Sequence, residues 1–291
     1  MRFVKAIALF LAVIAVSVPA LAQFDASRQI AVVSREEGSG TRGAFVELTG
    51  VMQKNEAGQE IDRTYLEADF VNGTSLVITT VASNPWGIGY ASISAVQHNG
   101  TVKPVRVNGV EATQETILSG AYPVARPFNL VMAGELADPL AKDFVSFIMS
   151  REGQEVVAED GLVPAAVDAP EYAQASGLSG SLTIGGSTSV APVMELLAEA
   201  YMEIHPGVTV DVQATGSTAG VTNALNGSYD IGMASRALKD SEAAQGASAM
   251  AIGVDGIAVI VNLANPVEDL TLEQVRRIFT GEAATWAALG E

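Results

Sequence analysis

The chain has 291 residues, of which 48% are apolar, with 28 glycines, no cysteine, two histidines and a formal net charge of −17. The length allows a sizeable core in one or two domains, and the composition is that of a folded protein. Without cysteine there is no disulfide, thiol nucleophile, thiolate metal site or lipid-anchored N-terminal cysteine, and the acidic surface is a poor match for nucleic acid or anionic membranes.

Residues 1–22 read as a secretory signal peptide. Arg2 and Lys5 give a positive start, residues 6–18 are apolar apart from Ser17, and Pro19-Ala20-Leu21-Ala22 offers a small-residue cleavage site. The apolar run is short for a membrane span, which needs about 20 residues. Cleavage after Ala22 is expected, leaving a periplasmic protein that is not a lipoprotein.

Thereafter short apolar runs alternate with helical stretches. Strands are expected over 30–34, 86–91, 103–107, 128–132, 183–185, 208–213, 231–234 and 257–262. Helices are expected over 39–50, 139–159, 190–204, 219–225 and 272–279. The helix over 139–159 rests on Leu140, Phe144, Phe147, Ile148, Val156 and Val157 at helical spacing. This alternation predicts an α/β fold, with helices on both faces of mixed, mostly parallel sheets. The small, polar stretch 172–181 reads as a linker.

Three segments repeat one design, a strand followed by a Gly/Ser/Thr loop and a helix start. They contain Arg35, Ser39, Gly40 and Thr41; Thr188 and Ser189; and Ser217. A fourth strand ends in Ser235-Arg236. A helix start leaves backbone N–H groups unpaired and carries partial positive charge, so it suits an anion. Glycine admits close backbone approach, hydroxyls add donors, and Arg35 adds a charged two-pronged donor. One such loop alone is usually only a helix cap. Four in one α/β chain can converge on one crevice at the strand ends, and together they predict a site for a small oxyanion. The net negative charge does not forbid this, because charge is screened beyond about 8–10 Å.

Other chemistries lack their residues. The loop at 38–43 has no P-loop lysine, and no dinucleotide-binding glycine turn fits. There is no G-x-S-x-G elbow. His98 and His205 each read as a surface or loop residue. Glu36-Glu37 is a single acidic pair, too little for a metal centre.

The segments IGGSTSVAPVMELLAEAYMEIHPGVTVDVQATGSTAG, DIGMASRALKD, DGIAVIVNLANPVEDLTLEQVRRIFTGEAATW, VVSREEGSGTRGAF and NPWGIGYASI closely resemble the phosphate-binding proteins of bacterial phosphate ABC importers. The likeness spans nearly all of 29–291. It implies a two-lobed periplasmic-binding-protein fold with the ligand in a cleft between lobes. It also implies that the order is circularly permuted, since the GGSTSVAP segment lies near the N-terminus in that family. One lobe would then combine 29–123 with 263–291, and the other would run over 124–262 with the linker 172–181 joining the family's usual ends. Strands near 257–262 and 123–132 would form the hinge.

The resemblance implies a monomeric receptor, not an enzyme, that delivers inorganic phosphate to an importer permease with no cofactor or metal. The phosphate ligands would be Arg35, Ser39, Gly40, Thr41, Thr188, Ser189, Ser217 and Ser235. Some members place an Asp after the last serine, where it accepts the phosphate proton; here that position is Arg236. Glu37 is the expected substitute acceptor, with Arg236 either pairing with Glu37 or reaching the ligand. The alternatives are a receptor for sulfate, molybdate or phosphonate, and a secreted phosphatase.

Overall fold

The computed structural model describes residues 24–290, so the predicted signal peptide lies outside the described residues. The first stretch forms β1 (Ala31–Arg35), α1 (Gly40–Leu48), the short strands β2 (Met52–Lys54), β3 (Glu60–Asp62) and β4 (Asp69–Val71), α2 (Thr74–Ser83), β5 (Gly87–Ser92) and α3 (Ile93–Gln97). Next come β6 (Val102–Pro104), β7 (Arg106–Val107), α4 (Gln114–Leu118), β8 (Ala125–Ala133), α5 (Pro139–Ile148), α6 (Arg151–Glu159) and β9 (Val163–Pro164). The remainder is β10 (Gly180–Gly186), α7 (Ala191–Ile204), β11 (Val208–Ala214), α8 (Ser217–Leu225), β12 (Ile231–Ala234), α9 (Asp240–Ala243), β13 (Ala247–Asn262), β14 (Asp269–Leu270) and α10 (Leu272–Phe279).

One curled, mixed sheet runs in the order β11-β10-β12-β8-β13-β5-β1-β4, with β6 and β9 also paired to β13. Its wings are parallel: β10 pairs with β11 and β12, and β1 pairs with β4 and β5. Its centre is antiparallel, because β8 and β13 run past each other and each pairs outward to a wing.

Local sequence explains the elements. In α7, Val193, Met194, Leu197, Ala198 and Tyr201 form one buried stripe at helical spacing, and a proline sits in its first turn, where no intrahelical N–H bond is lost. The expected single helix over 139–159 is two helices. Ser150 breaks it by accepting a bond from the Gly153 N–H as the cap of α6. At Gly89 on β5, a Cβ would lie 2.8 Å from Val77 Cγ1, so glycine lets α2 pack tightly onto the strand.

Two large hydrophobic cores divide the molecule, beside a small cluster of Val131, Val221, Ala224, Ala234 and Ala247. One holds Phe45, Val77, Ile88, Tyr90, Val124, Ile257–Val261 and Ile278. The other holds Phe128, Leu130, Phe144, Ile148, Ile184, Leu197, Tyr201, Met233 and Ile252. β13 therefore changes core between Ile252 and Ile257, and β8 changes between Val124 and Phe128. The strand expected over 257–262 as a crossing lies wholly in the first core; the crossing is earlier, in less apolar sequence that carries no clear strand signal. His205 departs from its expected exposure. It is buried, with Nε2 2.7 Å from the hydroxyl of Tyr172, which ties the predicted linker to the second core.

Candidate functional site

β1, α1 and α2 bring their loops from the first core to meet those of β10, α7, α8 and β12 from the second. Arg35 ends β1 and is 2% exposed. Its Nη2 donates to Thr188 Oγ1 at 2.9 Å, and its Nη1 lies 3.4 Å from Thr74 Oγ1. Thr74 Oγ1 lies 3.3 Å from Thr188 Oγ1 and 3.1 Å from Ser189 Oγ, and Thr41 Oγ1 lies 2.9 Å from Ser189 Oγ. The chain of hydroxyls continues within the second lobe. Ser187 Oγ accepts from the Ser189 N–H at 3.2 Å and donates to Ser235 Oγ at 2.9 Å. Ser217 Oγ accepts from the Ser235 N–H at 3.1 Å and lies 3.4 Å from Ser235 Oγ.

Arg35, Thr41, Thr188, Ser189, Ser217 and Ser235 thus share one hydrogen-bonded network. The other two predicted ligands sit at its edge. Ser39 caps α1, its hydroxyl accepting from the Arg42 N–H at 3.3 Å. Gly40 lies close against the second lobe: a Cβ there would stand 2.2 Å from Ser217 Oγ and 2.8 Å from Ser235 Oγ. The Thr218 N–H donates across the seam to the Gly38 carbonyl at 3.1 Å. The lobes are closed upon each other.

Sequence reasoning missed Thr74 and Ser187. Thr74 opens α2 after Gly73, which repeats the strand–glycine–hydroxyl–helix design already found elsewhere, but the strand before it has only three residues. Neither α2 nor α8 has a side-chain cap, so the first-turn N–H groups of both helices, other than that of Thr218, remain open to a ligand.

The charged neighbours differ from expectation. Glu37 is exposed, on a groove it shares with Glu36, Gly38, Thr215, Gly216 and Asn223. The carboxylate at the network is Glu36, which accepts from Arg35 Nε at 2.7 Å and Nη2 at 2.6 Å, and from the Gly73 N–H at 3.2 Å. Burial pushes the Glu36 carboxyl up, but the Arg35 hydrogen bonds and charge outweigh it and hold it below its usual range. Arg236 does not pair with Glu37. Its two Nη atoms grip Glu242 at 2.8 and 2.7 Å, and Nη1 also donates to the Ala237 carbonyl at 2.8 Å. Behind Arg35, the buried Tyr90 hydroxyl accepts from the Arg35 backbone N–H at 3.2 Å and lies 2.9 Å from Ser34 Oγ.

A larger hollow around Arg63, Tyr65 and Leu66 contains none of the predicted site residues. Among the described residues, no group of three or more His, Cys, Asp or Glu is placed to hold a metal ion. None of the described helices is long and apolar enough to cross a membrane.

A network of neutral hydroxyls with one guanidinium, met by open helix starts, is built to donate to negative oxygen. The comparisons with known proteins agree with that chemistry. The family described as a PBP superfamily domain matches residues 17–152 and 171–291. The phosphate-binding protein PstS 2 of Streptococcus agalactiae serotype V is 45% identical over 262 residues, covering 90% of this chain and 88% of the relative. Its counterpart in Streptococcus pneumoniae serotype 4 is 42% identical over 261 residues, with the same coverage of 90% and 88%. The crystal structure of the phosphate-binding protein of a phosphate ABC transporter from S. pneumoniae TIGR4 superposes with a TM-score of 0.71 at 41% identity, covering 90% of this chain and 99% of that one.

Proposed function

We infer the function from one premise: this chain belongs to the PBP superfamily and, within it, to the PstS phosphate-binding proteins. It captures inorganic phosphate between its two lobes and delivers it to an ABC importer. The observation that carries this reading is the hydroxyl network closed around Arg35, to which both lobes contribute.

Binding exchanges partners. A phosphate entering the seam accepts from hydroxyls that otherwise bond to one another, from the Nη edge of Arg35 that Glu36 leaves to the threonines, and from the open N–H groups of α2 and α8. Because donors come from both lobes, the anion is held only when the lobes are together, so ligand stabilises closure. Release on the importer then follows from reopening about the β8–β13 crossing.

Selectivity rests on hydroxyls rather than on a free carboxylate. Arg236 is committed to Glu242, Glu36 is committed to Arg35, and Glu37 is exposed. A hydroxyl whose own hydrogen is already given to a neighbour, as that of Ser187 is to Ser235, can only accept, so such an oxygen receives a hydrogen bond from the protonated phosphate oxygen. Sulfate has no proton to give and leaves that acceptor unmet.

The protein acts as a receptor and turns nothing over. Equilibrium dialysis against labelled phosphate tests the reading, with release of phosphate from a generic ester as the enzymatic alternative. Retention at about one phosphate per chain with no ester turnover supports the receptor. Export with cleavage after Ala22, release to the periplasm as a monomer, and a permuted segment order belong to the same proposal. The permuted order is supported by adjacency. Residues near both ends of the described chain pair directly, with the Ile30 N–H donating to the Ala284 carbonyl and the Ala287 N–H to the Ala26 carbonyl, both at 2.9 Å. A rearranged gene opened within 172–179 and joined across 291 and 24 tests it: it should fold with the same phosphate affinity.

A further inference from the structure

The oxyanion network leaves the buried Arg126 unused. Arg126 on β8 stands opposite Asp255 on β13, where the two strands cross between cores. Its Nη2 donates to Asp255 Oδ2 at 3.0 Å, and Asp255 Oδ1 accepts from Ser92 Oγ at 2.8 Å. The Arg126 and Asp255 side chains are 1% and 0% exposed. Yet, among the described residues, Arg126 Nε and Nη1 are buried without a hydrogen-bond partner. Orphaned donors on a buried cation are costly, and in a folded protein they mark a bound water, an ion or a working group.

Their position favours a working group. Ser92, bonded to Asp255, and Tyr90 are two residues apart on β5 and so point to the same sheet face. On that face the Tyr90 hydroxyl receives the Arg35 backbone N–H. Arg126 therefore lies under the same cleft floor as Arg35. Burial pushes the Arg126 guanidinium down, Asp255 opposes this, and the nearby Arg35 charge pushes it further down. Two guanidiniums near one cleft repel each other until an anion arrives.

We propose that Arg126 is a second cation of the oxyanion site. With a water on its two free donors, it holds the cleft floor positive and selects doubly charged over singly charged phosphate. Asp255 fixes the guanidinium and tempers its charge. This inference rests on the cleft being an oxyanion site. A field of this kind acts twice as strongly on a dianion as on a monoanion at the same place.

Phosphate passes between these two forms near neutrality, so affinity measured by calorimetry at about pH 5.5 and about pH 8 reports the preference. Of the titratable groups at the pair, Asp255 itself is pushed up by burial against the opposing charge of Arg126, so Asp255→Asn also controls for its protonation; the others are shifted away from that window. Tyr90 and Tyr122 are pushed up by burial, and Glu36 is held low despite its burial by Arg35. Wild type should bind more tightly at the higher pH. Arg126→Gln should lose about tenfold in affinity there but only about threefold at the lower pH, so that the ratio shrinks. Asp255→Asn leaves the arginine untempered and should widen the ratio. Opposite shifts of the ratio are not the signature of a structural defect, and either variant tests the inference if the other fails to fold. Folded variants whose ratio matches wild type would overturn it, even if both affinities fell. If wild type binds no phosphate at either pH, the oxyanion reading itself falls and takes this inference with it.

Discussion

Arg35 and Glu36, adjacent in sequence, form a two-pronged ion pair through Nε and Nη2 at 2.7 and 2.6 Å. Glu36 thereby takes one edge of the guanidinium and turns the other edge toward Thr74 and Thr188. The geometry gives Arg35 a fixed aim before any anion binds, which lowers the ordering cost of binding.

Removing Arg35 should therefore weaken phosphate binding more than any single hydroxyl removal. A hydrogen bond to a charged group contributes about 1.5–3 kcal/mol and the fork offers two, so Arg35→Ala should lose about 100-fold or more in affinity. Arg35→Lys keeps the charge but not the fork, and should fall in between. Calorimetric titration of each folded variant measures both.

Gly40→Ala should separate closure from folding. Gly40 opens α1, where alanine is otherwise favoured over glycine by about 0.5–1 kcal/mol. In the closed form, however, the added methyl would overlap Ser217 Oγ and come within 2.8 Å of its Cβ. We expect at least about a tenfold loss of phosphate affinity, by the cost of overpacking, without a matching fall in the melting temperature of the ligand-free protein. Solution scattering should show the variant open with phosphate present; a compact, tight-binding variant would contradict the closed arrangement.

Tyr90→Phe removes the buried hydroxyl that accepts the Arg35 backbone N–H and pairs with Ser34. The ring stack on Phe45, with centroids 3.9 Å apart, survives. The orphaned N–H should cost about 1–3 kcal/mol in denaturant unfolding. Phosphate affinity should fall severalfold, since Arg35 loses its backing.

Acid should loosen both arginine–carboxylate pairs. Burial pushes Glu36 and Glu242 up, but Arg35 and Arg236 respectively outweigh it, so both carboxyls lie below the ordinary value of 4.5. A folded value below the unfolded one stabilises at pH above the unfolded value, and this stabilisation is lost as pH falls through the folded one. Stability should therefore decline below about pH 4.5. Glu242→Gln should be less stable than wild type at neutral pH and show a shallower acid decline. Denaturant midpoints over an acid-to-neutral series check this, and equal slopes would contradict it.

Much of the site was legible because its signals are local. The loops at Ser39–Thr41, Thr188–Ser189 and Ser217 each announce a helix start with glycine and hydroxyls inside a few residues. Thr74 was not, because its strand is a three-residue edge whose apolar pattern is too short to register. Which of Glu36 and Glu37 faces Arg35 depends on how a tight turn directs two neighbouring side chains, and no spacing rule decides that. The partner of Arg236 was hidden for a similar reason: Glu242 returns to it only through the α9 turn. The pairing of Arg126 with Asp255 spans 129 positions and exists only once β8 and β13 take their register. The wings of the sheet were readable from apolar runs, but its antiparallel centre follows from how two strands cross, which composition does not encode.

The most direct test of the account is calorimetric titration of phosphate into protein stripped of co-purified ligand by unfolding and refolding, with sulfate as competitor. The account predicts tight binding at about one phosphate per chain, resisted only by a large excess of sulfate. A demonstrably folded sample that binds no phosphate, or that binds sulfate equally well, would contradict it.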